Sequence, residues 1–117
     1  MKILIVDDNV LTRSLIKDLL TEMGHEVTGE AGDGNEAVTA FRQQKPELVL
    51  MDLVMPGKTG MEALQEIKVI DPAARVVMVT AVQQGAISEE LLQKGAAGVL
   101  HKPFLYGELD ELLKQMK

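Results

Sequence analysis

The chain has 117 residues, 46% hydrophobic and 26% charged, a balance that suits one folded domain and argues against disorder. It has no cysteine, which excludes disulfides, thiolate metal centres and cysteine nucleophiles. Its net charge of -6 sets its surface against phosphate backbones and so against direct nucleic-acid binding.

The opening Met1-Lys2-Ile3-Leu4-Ile5-Val6-Asp7-Asp8 has the outline of a signal peptide. Its apolar stretch is too short and ends in two acids, so that reading is rejected. No apolar run approaches the roughly 20 residues that span a bilayer. Membrane insertion is not expected, and a cytoplasmic location is.

Apolar runs and helical stretches alternate along the chain. Ile3 to Val6 is the first run. Leu11, Leu15, Leu19 and Leu20 then mark one face of a helix expected from about Val10 to Met23, stopped by Gly24. The second run, Val27 to Ala31, is broken by Thr28, Gly29 and Glu30 and is expected toward an edge. Ala37, Val38 and Phe41 mark a second helix. Leu48 to Met51 follows, then a helix marked by Met61, Leu64, Ile67 and Lys68 that ends at Asp71-Pro72. Val76 to Val79 precedes a short helix with Ile87, Leu91 and Leu92, with Gly85 or Ser88 near its start and Gly95 after its end. Gly98 to Leu100 is the last run, and Leu105, Leu109, Leu112 and Leu113 form the last helix.

Continuous Val, Ile and Leu runs are what strands buried on both faces require. Strand and helix repeated five times predict an α/β fold: a five-stranded parallel sheet, (βα)5, with helices on both faces. The usual order for five such strands is the flavodoxin-like 2-1-3-4-5. No linker or second composition interrupts residues 1–117, which are read as one domain.

The polar residues fall at strand ends. Asp7 and Asp8 follow the first run, Asp52 the third, Thr80 the fourth, and Lys102 lies just after the fifth. In a parallel sheet these positions share the carboxyl edge, where open α/β sheets bind ligands. The order 2-1-3-4-5 sets the first and third strands side by side, about 4.8 Å apart. Asp7, Asp8 and Asp52 then crowd one pocket. Two carboxylates at ~4 Å repel by about 4 kcal/mol at an effective dielectric of 20. A protonated acid or a bound cation relieves this. With oxygen ligands only, the fitting cation is Mg2+ or Mn2+. Carboxylates, a divalent ion, a lysine and a hydroxyl together suit phosphoryl transfer, with one carboxylate as nucleophile and the others holding the ion.

The motifs Ile5-Val6-Asp7-Asp8, Met51-Asp52-Leu53-Val54-Met55-Pro56 with Gly60, Thr80-Ala81 and Lys102-Pro103-Phe104 stand in order along the whole chain. With them the sequence resembles the receiver domain of two-component response regulators, above all the small stand-alone chemotaxis type. The resemblance implies that Asp52 accepts a phosphoryl group from a phosphohistidine on a sensor histidine kinase or a histidine phosphotransfer protein. It implies Mg2+ on Asp8 and Asp52, helped by Asp7 through water and by the backbone carbonyl of Val54. Lys102 would pair with the phosphoryl oxygens and Thr80 would swing in to bond them. Thr80, Ala81, Val99, Lys102 and Pro103 would carry the switch to a readout face made of the fourth helix, fifth strand and fifth helix. A cis Lys102-Pro103 peptide is also implied. Such a module catalyses only its own phosphorylation and dephosphorylation and is not otherwise an enzyme.

The chain departs from that family pattern. The position three before Lys102, frequently an aromatic ring that turns inward, is Val99, so signalling by ring burial is not expected. The positions two after Asp52 and two after Thr80, where polar groups influence dephosphorylation, are Val54 and Val82. Apolar neighbours there position a hydrolytic water poorly and predict a long-lived phosphoryl state.

Simpler readings stand beside these. Asp7 and Asp8 could cap the first helix, and Asn9 reads as a cap rather than a ligand. His25 and His101 read as structural or solvated, with His101 near the readout face. The seven Met residues read as core fillers. Gly32-Asp33-Gly34-Asn35-Glu36-Ala37 has a dinucleotide-site spacing, but it follows a weak strand and carries two acids, so it reads as a turn and helix start. An aspartate-nucleophile phosphatase of the haloacid dehalogenase type is the enzyme alternative; it needs a second Asp two residues on, where Val54 stands. A flavin carrier on the same fold needs a phosphate-cradling loop where Asp7 and Asp8 stand. A phosphate-independent scaffold is disfavoured by the full set of acids, Thr and Lys.

Overall fold

The computed structural model describes residues 1–81 and 85–116. In chain order it comprises β1 Lys2–Val6, α1 Val10–Glu22, β2 Glu26–Ala31, α2 Gly34–Gln44, β3 Leu48–Asp52, α3 Gly60–Ile70, β4 Val76–Thr80, α4 Gly85–Gln93, β5 Gly98–His101 and α5 Tyr106–Lys114. The strands form one parallel sheet in the order β2-β1-β3-β4-β5, as the apolar runs predict. The broken second run is an edge strand, and its pairing with β1 slips between Ile3 and Leu4.

Alternation along the strands divides the core in two. Leu4, Val6, Val49, Met51, Val76 and Met78 pack on one face under α2, α3 and α4. Ile3, Ile5, Leu48, Leu50, Val77 and Val79 pack on the other against Ile16 and Leu20 of α1 and Leu109 and Leu113 of α5. β3 and β4 are buried at every position, as expected of strands covered on both sides. All seven methionines are buried or packed against these clusters.

Two expectations need correction. Of the four leucines expected on one face of α1, Leu20 is in the core and Leu19 packs against it, but Leu11 is 75% and Leu15 65% exposed. Ile16, not among those four, joins Leu20 against the sheet. Two apolar stripes lie side by side on this helix, and a flat sheet can bury only one of them. Leu105 likewise stands just outside α5 and is exposed, with its N–H donated to Glu108 Oε1 at 3.1 Å. The Gly32–Ala37 stretch is the turn and helix start expected: Asp33 caps α2 by accepting from the Glu36 N–H at 2.8 Å. His25 has a structural role, its Nδ1 lying 3.0 Å from the terminal amine of Met1.

Candidate functional site

Parallel register builds the site. Val6 of β1 faces Met51 of β3, so the next residues along, Asp7 and Asp52, leave the sheet side by side. Thr80 faces His101 at the end of the β4–β5 pair, and Lys102 follows. Three bonds extend the ladder one step past the strands: Asp7 N–H to the Ala31 carbonyl, Leu53 N–H to Val79, and Lys102 N–H to Thr80, at 3.0, 3.1 and 2.8 Å. The sequence-predicted residues therefore start from firmly placed backbone.

The first helix begins with Asn9, whose side chain accepts from the Thr12 N–H at 3.1 Å. Asp7 and Asp8 are not its caps, which leaves their carboxylates for the site. Asp7 is 2%, Asp52 9% and Thr80 0% exposed, while Asp8 faces solvent. One oxygen from each of Asp7, Asp8 and Asp52 lies within 4.8 Å of the others. Lys102 Nζ donates to Asp7 Oδ2 at 2.7 Å and stands 3.5 Å from Asp52 Oδ2. The other oxygen of Asp7 accepts from the Asn9 N–H at 2.8 Å. The Lys102–Pro103 peptide is cis.

Burial raises the Asp52 pKa above the ordinary carboxylate value, and the charge of Asp7 adds to this; Lys102 and the Val54 N–H oppose it. Burial would by itself lower the Lys102 pKa. Its hydrogen bond to Asp7 and the charges of Asp52 and Asp7 outweigh burial, and the net shift is upward. Lys102 is thus firmly cationic, and Asp52 is a carboxylate short of positive partners. That is the electrostatic setting a hard cation relieves, and the donor set, all oxygen with one exposed and two buried carboxylates, fits Mg2+ or Mn2+.

This chain has a receiver-type arrangement, and a response regulator receiver domain model matches it over residues 3–115. The chain belongs to the response regulator receiver family. Chemotaxis protein CheY of Thermotoga maritima is 39% identical over 115 residues, covering 98% of this chain and 96% of its own. CheY of Bacillus subtilis is 44% identical over 103 residues, 88% of this chain and 86% of its own. Among solved structures, the CheX–CheY–BeF3–Mg2+ complex of Borrelia burgdorferi superposes with a TM-score of 0.96 at 29% identity, covering 98% of this chain and 87% of that one. The receiver is therefore a phospho-accepting module of two-component signalling. Receivers take their phosphoryl groups from histidine kinases and hold Mg2+ in an acidic pocket. Among the described residues no helix is long and apolar enough to cross a membrane.

The expected switch residues are placed as follows. Ala81 is exposed beside Thr80, Pro103 is exposed beside Lys102, and Val99 is half-buried against the α4 side of the sheet. Val54 is exposed, with its N–H on the Asp52 carboxylate. Val82 lies outside the described residues. His101 lies with its Nε2 3.3 Å from Ser88 Oγ and so ties β5 to α4.

Sequence reading missed two features. A hollow of about 660 Å³ between α2 and α3 touches neither Asp7, Asp8 nor Asp52 and lies apart from the receiver site. A smaller apolar groove of about 410 Å³ does border it, lined by Leu15, Ile16 and Leu19 of α1 together with Ala81, Lys102 and Phe104. The second leucine stripe of α1 was its signal.

Proposed function

We propose that Asp52 is the phosphoryl acceptor of a Mg2+-dependent receiver that takes its phosphoryl group from a histidine kinase or histidine phosphotransfer protein. The observation that carries this is one buried carboxylate, short of positive charge, beside a lysine engaged mainly with a neighbouring acid. Asp8 and Asp52 would hold the ion directly, with Asp7 through water and the Val54 carbonyl completing the protein ligands. Mg2+ supplies charge neutralisation for the carboxylates and the incoming phosphoryl oxygens.

The chain's own residues do the rest. The Val54 N–H and Lys102 fix the Asp52 carboxylate. An Asp52 oxygen attacks the phosphorus of a phosphohistidine; the P–N bond breaks as the P–O bond forms, and the imidazole nitrogen leaves with a proton. Lys102 then turns from Asp7 toward the phosphoryl oxygens, and the Thr80 hydroxyl donates to another. Phosphorylation adds about one unit of negative charge to the site and new acceptor oxygens. Moving a switch from mostly off to mostly on takes about 5.5 kcal/mol. Two charge-assisted hydrogen bonds, at about 1.5 to 3 kcal/mol each, supply much of it. The bonded Thr80 and Lys102 shift Ala81 and Pro103 and remodel the α4–β5–α5 face for a protein target. Val99 has no ring to bury, so this readout runs through backbone movement.

A phosphohistidine within covalent reach of Asp52 must rest on the surrounding rim. Leu15 of α1 lines the apolar groove that reaches Lys102, and Val10, Leu11, Val54 and Leu105, each two or three residues along the chain from Asp8, Asp52 or Lys102, are exposed. An apolar rim around an acidic pocket fits a protein donor bearing the histidine, in a cytoplasmic setting.

Incubation with acetyl phosphate tests the reading. With Mg2+, mass spectrometry finds one phosphoryl group, on Asp52; without Mg2+, labelling falls to background. Labelling elsewhere, or labelling independent of Mg2+, overturns it. A second expectation concerns lifetime. Val54→Asn places a polar group where it can orient water toward the acyl phosphate, and phosphate loss accelerates about tenfold, less than the roughly 100-fold or more of a group that itself transfers a proton. A decay no faster than wild type removes Val54 as a determinant of lifetime.

A further inference from the structure

Arg13 occupies an awkward position. It lies in the first turn of α1, where the helix dipole disfavours a cation, and that turn carries no acid to offset it. Its side chain is nonetheless only 16% exposed. It folds back across the corner between β1, α1 and β2. Nη1 donates to the Asp7 backbone carbonyl at 2.5 Å, and Nε donates to Glu30 Oε1 of β2 at 3.2 Å. Lys17, one turn further along, stands 3.9 Å from the other Glu30 oxygen.

The carbonyl that Arg13 holds belongs to the peptide joining Asp7 to Asp8. Asp7 is fixed from every side: its N–H by Ala31, its carboxylate by Asn9 and Lys102, and its carbonyl by Arg13. Asp8 is different. Its carboxylate has no hydrogen bond or ion pair among the described residues, so only its backbone aims it at Asp7 and Asp52. Among the described residues, Arg13 is the one side chain that grips the peptide leading into it.

We propose that Arg13 is a positioning residue that sets divalent-cation affinity by clamping the Asp7–Asp8 peptide, with Glu30 as its anchor. The inference rests on the reading of Asp7, Asp8 and Asp52 as a cation site. It differs in sign from a simple charge effect. A guanidinium near three acids repels Mg2+, so deleting it as a mere charge tightens binding. Deleting it as a clamp frees Asp8 and weakens binding.

Titration calorimetry with Mg2+ alone separates the two, on wild type, Arg13→Gln, Arg13→Lys and Glu30→Gln. Arg13→Gln binds about tenfold more weakly, the usual scale for losing a group that orients a metal ligand. Arg13→Lys recovers part of this, since an ammonium can bond the Asp7 carbonyl but cannot fork to Glu30 as well. Glu30→Gln shows a smaller loss of the same sign. Acetyl phosphate labelling of Arg13→Gln returns to the wild-type rate at saturating Mg2+, an effect on ion affinity that a loosened fold would not confine to the titration. Equal or tighter binding by Arg13→Gln overturns the proposal, as does a labelling rate that stays low at saturating Mg2+. Should Arg13→Gln fail to fold, unchanged affinity in Glu30→Gln overturns it. Wild-type protein that binds no Mg2+ overturns the cation-site reading itself.

Discussion

Asp52→Asn abolishes acetyl phosphate labelling and at the same time makes the metal-free protein more stable, by about 1 kcal/mol or more and several degrees in Tm. The two effects share a cause. Asp52 is 9% exposed, stands beside Asp7, and shares with it a lysine that lies closer to Asp7, at 2.7 against 3.5 Å. Its pKa is raised in the folded chain, first by burial and then by Asp7. A carboxyl with a raised folded pKa contributes stability that is fully present below its unfolded pKa and lost as pH rises through the folded one. Metal-free wild type therefore loses stability across the interval above the ordinary carboxylate value, and Asp52→Asn is flatter there. Mg2+ reverses the comparison: at ten times its Kd it stabilises wild type by about 1.4 kcal/mol and the variant by much less. Thermal melts at several pH values, with and without Mg2+, measure all of this. A variant no more stable than metal-free wild type refutes the claim that Asp52 is held ionised at a cost.

Gly60→Ala destabilises the fold by about 3 kcal/mol and lowers labelling as well. A Cβ at Gly60 would lie 2.2 Å from the Asp52 carbonyl oxygen and 2.8 Å from Leu53 Cα. Both are backbone and neither can swing aside. The Gly60 N–H also donates to the Leu53 carbonyl at 2.9 Å, so the start of α3 presses on the strand end that carries Asp52. Relief requires α3 to back away or Asp52 to shift. Gly107→Ala is the contrast, for its added Cβ meets nothing within 4 Å. On an exposed turn of α5 it stabilises by about 0.5 kcal/mol through helix propensity. Urea unfolding of both variants measures the difference. A Gly60→Ala protein as stable as wild type contradicts the close approach.

The parallel order was legible because Leu48–Met51 and Val76–Val79 are apolar without interruption, which only strands covered on both faces tolerate. The site was legible because each chemical group directly follows such a run, and the sheet order does the gathering. Orientation was harder to read. Periodicity on α1 reveals two apolar stripes but not which one turns toward the sheet, so Leu11 and Leu15 were placed inward with Leu20, while Ile16 takes the place beside Leu20. Arg13 was invisible for a related reason. Its partners, the Asp7 carbonyl and Glu30, meet it only after the chain has crossed from helix to edge strand, and no local spacing encodes that meeting. The cis Lys102–Pro103 peptide followed from family likeness alone.

The ion pair between Lys102 and Asp7 spans 95 positions of sequence. As the polypeptide is synthesised, its three aspartates exist well before their ammonium does. Until the last strand docks at the edge of the sheet, these acids lack the ammonium that Asp7 binds in the folded chain. A copy whose β5 has not docked has no Lys102 beside Asp7 and Asp52, so completing the sheet and completing this charge pairing are one event.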